Sequence, residues 1–379
     1  MGDILNSIIG TDGLILGTIV PFLFVLTIVV FVHEMGHYLV GRWCGIGVKA
    51  FSIGFGPELF GFDDRHGTRW KLSAIPLGGY VKFTGDMNAT STPDADEMAA
   101  LTDAERKVAF HTQPVWKRAA TVVAGPLFNF LLTIAVFSIL FGTYGRPVTE
   151  PIVAEVVAGS AAEAGGFLPG DRFVSVDGNR VETFGDVQRY VSARTDDSLV
   201  FVMLRDGKEV SLTATPKLTE QKDALGNTMK VGIIGVVTNQ DVGQGRIVHY
   251  GPLEAVGEAV SETGSIIART GQFLKRFAFG REDKCQLGGP VKIAKMSGQA
   301  AQLGFLWLVQ LVALLSVGIG FLNLLPIPPL DGGHLMFYAI EAVIRRPVSE
   351  RAMDVVYRIG LFAVLLFMAF VVWNDVFAC

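Results

Sequence analysis

The sequence predicts a polytopic α-helical membrane protein of about four transmembrane helices, with a membrane-associated β-hairpin region and one inserted α+β domain. Three observations lead there. Half of the 379 residues are hydrophobic and only 18% are charged, a composition more apolar and less ionised than that of an ordinary soluble domain. The excess gathers in four runs, at about Leu14–Trp43, Ala119–Phe141, Leu303–Leu325 and Ile359–Trp373, which read as membrane spans. Composition turns ordinary between Tyr144 and about Gln302, so one substantial segment is built for water.

The first run ends in His33-Glu34-Met35-Gly36-His37. Imidazoles four residues apart share one helix face and can share a metal ion, with Glu34 beside them as a general base. Ionisable groups in an apolar helix are costly to desolvate, so they need a metal, a partner or a water-filled cavity. A catalytic zinc takes three protein ligands and keeps one position open. The third run supplies the missing one: Asn323-Leu324-Leu325-Pro326-Ile327-Pro328-Pro329-Leu330-Asp331-Gly332-Gly333-His334. Its prolines break the helix, and irregular backbone at membrane depth is tolerated only in protein or beside a cavity. Asp331 is therefore expected as the third ligand. The competing reading makes it a helix cap. His334 is a rival ligand, and Asn323 is placed to hydrogen-bond a substrate carbonyl or oxyanion.

Between the first two runs, Ala50–Gly61 and Trp70–Phe83 alternate apolar and polar residues with glycines, which predicts short β-strands. A hairpin there offers an edge for an extended substrate. Asn88–Asp103 is small, acidic and Ser/Thr-rich, and reads as a loop. The insert opens with the strand pattern Ile152–Val157 and closes with Leu199–Leu204 and Glu209–Ala214. Beyond it, Leu253–Phe279 reads as a helix, amphipathic enough to lie near a membrane. Cys44, Cys285 and Cys379 form no CxxC pair or disulfide framework, and no chemistry is assigned to them. Net charge is only −4, which gives no argument for nucleic-acid binding.

HExxH in a first membrane helix with a distant NLLPIPPLDGG resembles the site-2 protease family of intramembrane zinc metalloproteases, and more narrowly the bacterial regulator-of-sigma-E protease branch. Gly54-Phe55-Gly56-Pro57, Ile75–Lys82 and Gly125-Pro126-Leu127-Phe128-Asn129 match further segments of that branch, and the insert, with Gly159–Gly165 and Leu168-Pro169-Gly170-Asp171, resembles a PDZ domain. Only one such domain is visible here, where better-known relatives carry two. The resemblance implies Zn2+ held by His33, His37 and Asp331, Glu34 as general base and acid, and Asn323 and Asn129 as substrate-positioning residues. It implies cleavage of single-span membrane proteins, such as anti-sigma factors and remnant signal peptides, after an upstream site-1-type protease has made a first cut.

The expected organisation is an N-terminal membrane part over 1–145, a PDZ domain over 146–217, a linker and amphipathic helical region over 218–300 and a C-terminal membrane part over 301–379. Basic residues at Arg42, Lys49, Arg65, Arg69, Lys71, Lys82, Arg106, Lys107, Lys117 and Arg118, and again at Arg345, Arg346, Arg351 and Arg358, mark cytoplasmic loops. In a bacterial inner membrane, both termini and the insert are then periplasmic, with the metal motif toward the cytoplasmic side. Two rival classes remain at this stage: a non-catalytic PDZ-bearing adaptor or quality-control binder with a vestigial metal site, and a transporter. Four spans without an evident inverted repeat disfavour the transporter.

Overall fold

The computed structural model describes residues 15–86, 101–192, 194, 197–222, 228–238, 246–280, 284–346 and 348–378. Among these, four helices are long and apolar enough to cross a membrane: Ile15–Trp43, Val115–Thr143, Phe305–Asn323 and Ala352–Phe377. Each matches an expected run, with ends displaced by a few residues. Most of the predicted loop at Asn88–Asp103 lies outside the described residues. The chain divides into two units, one formed mainly by residues 1–137 and 288–379, the other mainly by 138–261 and 268–287.

In the first unit, a π-helical turn Ile15–Ile19 leads into α1, Val20–Trp43. β1 (Val48–Asp63) and β2 (Arg69–Phe83) form an antiparallel pair that folds back on itself. Residues 50–53 of β1 pair with 79–82 on one side and with 69–72 on the other, while 69–72 also pair with 60–63. Two bent strands thus make a small sheet four rungs wide, with 79–82 along one edge. The bend needs Gly54, whose φ of +88° places a Cβ 2.7 Å from the Ile75 carbonyl oxygen if one were added. Tyr38, Val48, Phe51, Val81, Phe83, Phe110, Val122 and Tyr338 bury the root of this sheet against the helices. Asp64 fastens it to α1, accepting hydrogen bonds from Tyr38 Oη at 3.0 Å and Trp70 Nε1 at 3.1 Å.

A short capped helix α2 (Asp103–Val108) precedes α3 (Val115–Thr143). The membrane part is completed by α7 (Pro290–Leu303), α8 (Phe305–Asn323), α9 (Asp331–Ile344) and α10 (Glu350–Trp373). The third run was expected to begin at Leu303, but Gly304, at φ +123°, separates α7 from α8. Gly288-Gly289-Pro290, whose role was not derivable from sequence, forms the start of α7. Gly289 N and Lys292 N donate to the Asp375 carboxylate at 3.2 and 3.1 Å, and a Cβ at Gly289 would strike Val371 and Asp375. Val25, Val29, Ala300, Leu308, Leu311 and Val312 form a second apolar cluster here.

The second unit holds the insert. After β3 (Arg146–Val148) and β4 (Glu155–Val156) come α4 (Ala161–Ala164), β5 (Arg172–Val176), β6 (Asn179–Arg180), α5 (Phe184–Ser192), β7 (Leu199–Arg205) and β8 (Lys208–Ala214). β6-β5-β7-β8 make a four-stranded sheet over a core of Val153, Phe167, Phe173, Val176, Val187, Leu199, Phe201 and Met203. This is the α+β insert that the sequence called for. Its expected end at 217 falls short. After the hairpin β9 (Lys217–Lys222) and β10 (Thr228–Ile233), β11 (Val236–Val237) returns to pair with β4, and Ile234 is part of the same core. β12 (Arg246–Val248) pairs with β3 ahead of the long α6 (Pro252–Ala278). Cys44 is a free thiol, but Cys285 is disulfide-bonded, which corrects the expectation that no cysteine carries chemistry.

One ion pair fastens the insert's fold. Asp171, 1% exposed, takes both forks of Arg205, Nε and Nη2 each at 2.7 Å, and the Leu168 amide at 2.9 Å. Burial pushes its carboxyl up, but the Arg205 guanidinium and the Leu168 N–H outweigh that and hold it below the usual carboxylate range. Its stabilisation is therefore complete above the unfolded-state pKa near 4 and is lost as pH falls through the lowered folded value. Asp171→Asn is expected to destabilise the insert by about 2 kcal/mol at pH 7 and to flatten its acid unfolding. Hydrogen exchange of β5 and β7 in the full-length protein against pH reads both effects.

Candidate metal centre

His33 and His37 occupy successive turns of α1 and are both 8% exposed. Asp331 is the first residue of α9. Leu330 is the N-cap and there is no side-chain cap, so the structure does not give Asp331 the capping role that competed with ligation. The three converge: Asp331 Oδ2 lies 3.1 Å from His33 Nε2 and 3.6 Å from His37 Nε2, and the two Nε2 atoms are 3.2 Å apart. Among the described residues these three form the one group of His, Cys, Asp or Glu able to hold an ion.

The donor chemistry fits a cation. His37 Nδ1 lies 2.9 Å from the Thr121 carbonyl oxygen, which can only accept, so Nδ1 carries the proton and Nε2 presents a lone pair. That lone pair faces a carboxylate oxygen and a second imidazole nitrogen. Asp331 Oδ2 is itself buried without a well-formed hydrogen bond. The lone pair of His37 Nε2 and the Asp331 carboxylate oxygen, 3.6 Å apart, repel unless a positive charge lies between them. The edges of the triangle are also close to the ~3.4 Å expected between ligands of a tetrahedral ion with bonds of ~2.1 Å.

Close helix approach builds this arrangement. A Cβ on Gly125 of α3 would collide with His37 Nε2 and stand 2.9 Å from His33 Cε1, and one on Gly36 would collide with the Ala124 carbonyl. Gly332 and Gly333 likewise let α9 begin against the carbonyls of Leu324 and Leu325 and against Pro328. Glu34 lies on the same turn as His33 and against the sheet edge 79–82, where a Cβ added to Gly79 would come within 3.3 Å of its Cγ. Asn323 at the end of α8 puts Nδ2 3.4 Å from His33 Nε2. Asn129 is wholly buried with Nδ2 3.2 Å from His33 Nδ1. His334 turns away from the group, with Nδ1 2.7 Å from Tyr357 Oη.

Sequence reasoning missed three contributors. The Thr121 carbonyl is backbone and leaves no mark in sequence. Gly125 stood in view within Gly125-Pro126-Leu127-Phe128-Asn129, and its glycine was the readable signal. Arg118 was counted among loop charges, yet it is buried and pairs with Glu341 of α9 at 2.6 Å while lying 4.9 Å over the Tyr338 ring.

The comparisons with known proteins point to zinc-metalloprotease relatives. The model of Peptidase family M50 matches residues 21–367. A relative from Mesorhizobium japonicum is 75% identical over 96% of this chain and 100% of its own, and one from Brucella suis biovar 1 is 64% identical over the whole of both. Both carry zinc-metalloprotease names. Metalloprotease MmpA of Caulobacter vibrioides is 40% identical over 94% of each chain.

Proposed function

The chain belongs to peptidase family M50 and is a zinc metalloprotease, and on that premise we propose that it cuts single-span membrane proteins within or beside their transmembrane segments. The observation that carries the reading is Glu34. This carboxylate lies in sequence between His33 and His37 on a helix long and apolar enough to cross a membrane, with the sheet edge at Gly79 packed against its side chain. An ordinary soluble peptidase has no need of such a setting, whereas a substrate already in the bilayer does.

His33, His37 and Asp331 would hold the ion. Bound zinc supplies Lewis acidity, which activates water near neutral pH and polarises the scissile carbonyl. Glu34 takes the proton from the attacking water and returns it to the leaving amide nitrogen. Asn323 offers its amide to the developing oxyanion. A helical substrate hides its peptide groups in its own hydrogen bonds. The strand edge at 79–82, which packs against Glu34 at Gly79, is suited to take the unwound segment by β-pairing. We read the insert as a PDZ domain that captures a trimmed substrate end or excludes intact ectodomains, which places this protease after a first ectodomain cut by another. Anti-sigma factors and remnant signal peptides have the required form. The disulfide at Cys285 supports an oxidising compartment and hence a periplasmic insert, in line with the basic loops.

Glu34→Gln tests this reading. The variant is expected to keep its zinc but lose about 10²–10⁴-fold in cleavage of a single-span substrate in detergent. Undiminished cleavage would remove Glu34 from the chemistry. Zinc-dependent cleavage of soluble peptides alone would overturn the substrate class.

A further inference from the structure

The two ligand imidazoles are held from behind by a single helix, α3, and they are held differently. His37 donates Nδ1–H to the backbone carbonyl of Thr121 at 2.9 Å. His33 Nδ1 instead meets the carboxamide of Asn129 at 3.2 Å. A carboxamide can accept or donate, and its two ends exchange places by a half-turn about the last side-chain bond. Only one end of this buried amide is engaged: Oδ1 has no hydrogen-bond partner.

The ligand set decides which end faces the ring. A neutral histidine that offers Nε2 to a metal must carry its proton on Nδ1, and that proton needs an acceptor. His33 Nε2 points at His37 Nε2 and Asp331 Oδ2, 3.2 and 3.1 Å away. We propose that Asn129 is the positioning residue of His33: its side-chain oxygen accepts the Nδ1–H, fixing the ring's tautomer and orientation as the Thr121 carbonyl does for His37. The inference rests on the metal-centre reading above and replaces, for Asn129, the substrate contact that the family resemblance implied. With no exposed surface, this side chain has nothing to offer a substrate in this arrangement.

The backbone beneath Asn129 is anchored to match. Its carbonyl accepts from Thr133 Oγ1 and from Ser316 Oγ of α8, both at 3.0 Å. Gly320 of α8 leaves room for its Cβ, since an added Cβ there would approach to 3.0 Å. With its backbone carbonyl and Cβ held by two helices, the buried side chain has little freedom left to lose when it grips the ring. The segment from Gly125 to Asn129 then has one purpose: glycine admits the imidazoles, and asparagine one turn later orients the first of them.

The test is zinc retention by the full-length protein in detergent, equilibrated against graded chelator, with thermal melting of the metal-free form as a fold control. Asn129→Leu keeps the volume and removes the acceptor, and is expected to weaken zinc about 10–100-fold. Asn129→Asp can only accept, and should hold zinc within about threefold of wild type or more tightly. Retention within about twofold by Asn129→Leu would overturn the proposal, as would equal losses in Asn129→Leu and Asn129→Asp. Should the leucine variant fail to fold, the aspartate variant decides alone: lost zinc refutes the role. His33→Ala is the reference. If it keeps its zinc, the metal-centre reading itself fails. If it loses zinc while Asn129→Leu does not, only the role of Asn129 fails.

Discussion

Gly125→Ala is expected to abolish zinc retention and proteolysis together, although alanine is the better helix former by about 1 kcal/mol. The added methyl would collide with His37 Nε2 and approach His33 Cε1 to 2.9 Å, so the atoms displaced are those of the proposed ligand set. Relief by moving a helix is closed off. On the facing helix, Gly36 already lies against the Ala124 carbonyl and Phe128. The rings must therefore rotate out of line, and three-point ligation is lost while the helices stay folded. Zinc content should fall at least about 100-fold with little change in melting of the metal-free protein. Gly318→Ala is the control, because a Cβ there meets nothing within 4 Å. A Gly125→Ala variant that still binds zinc and cuts substrate would contradict the close packing of α1 on α3.

Arg118→Met carries the second large effect, on stability first and on the metal through it. The guanidinium is 9% exposed, bonds Glu341 Oε1 at 2.6 Å and the Gln113 carbonyl at 3.0 Å, and lies over Tyr338. Removing it leaves the partly buried Glu341 carboxylate without its counter-ion, a loss of about 2–3 kcal/mol. Glu341 is on α9, which begins at Asp331, so a shift in that helix moves a ligand. Melting should drop sharply and zinc affinity with it. Arg118→Met/Glu341→Met, with no charge left to strand, should recover most of the stability. A double variant as unstable as the single one would show that the pair is not what holds α9.

What the sequence made legible depended on whether the signal was local. His33, Glu34 and His37 fall within five consecutive residues of one helix, and Asp331 follows a proline-broken helix end, so both halves of the proposed centre could be read directly. The four spans announced themselves by composition. The partners that orient the ligands could not be read the same way, because they arise where helices meet: Thr121 acts through its backbone, Asn129 through its burial against His33. Arg118 misled because a basic residue near a span end reads as a loop charge, whereas tertiary packing buried it and paired it with the partly buried Glu341. The insert's boundary was misplaced for a similar reason. β11 is two residues long, too short for any pattern, and its pairing with β4 is visible only in the fold. The folded-back strands β1 and β2 read correctly as strands, but their double pairing depends on bends that alternation does not reveal.

The split of the centre along the chain also has a bearing on how the enzyme is made. Two of its proposed ligands lie on one membrane helix, and the third follows ~300 residues later along the chain. At ~5–20 residues per second, a ribosome needs roughly 15–60 s to pass from one to the other. Throughout that interval the inserted N-terminal half has an incomplete ligand set. With the proposed ligand set, proteolytic power is withheld from the nascent polypeptide until the helix that opens at Asp331 has docked, so synthesis interrupted before that point leaves an inert fragment rather than an unregulated protease in the bilayer.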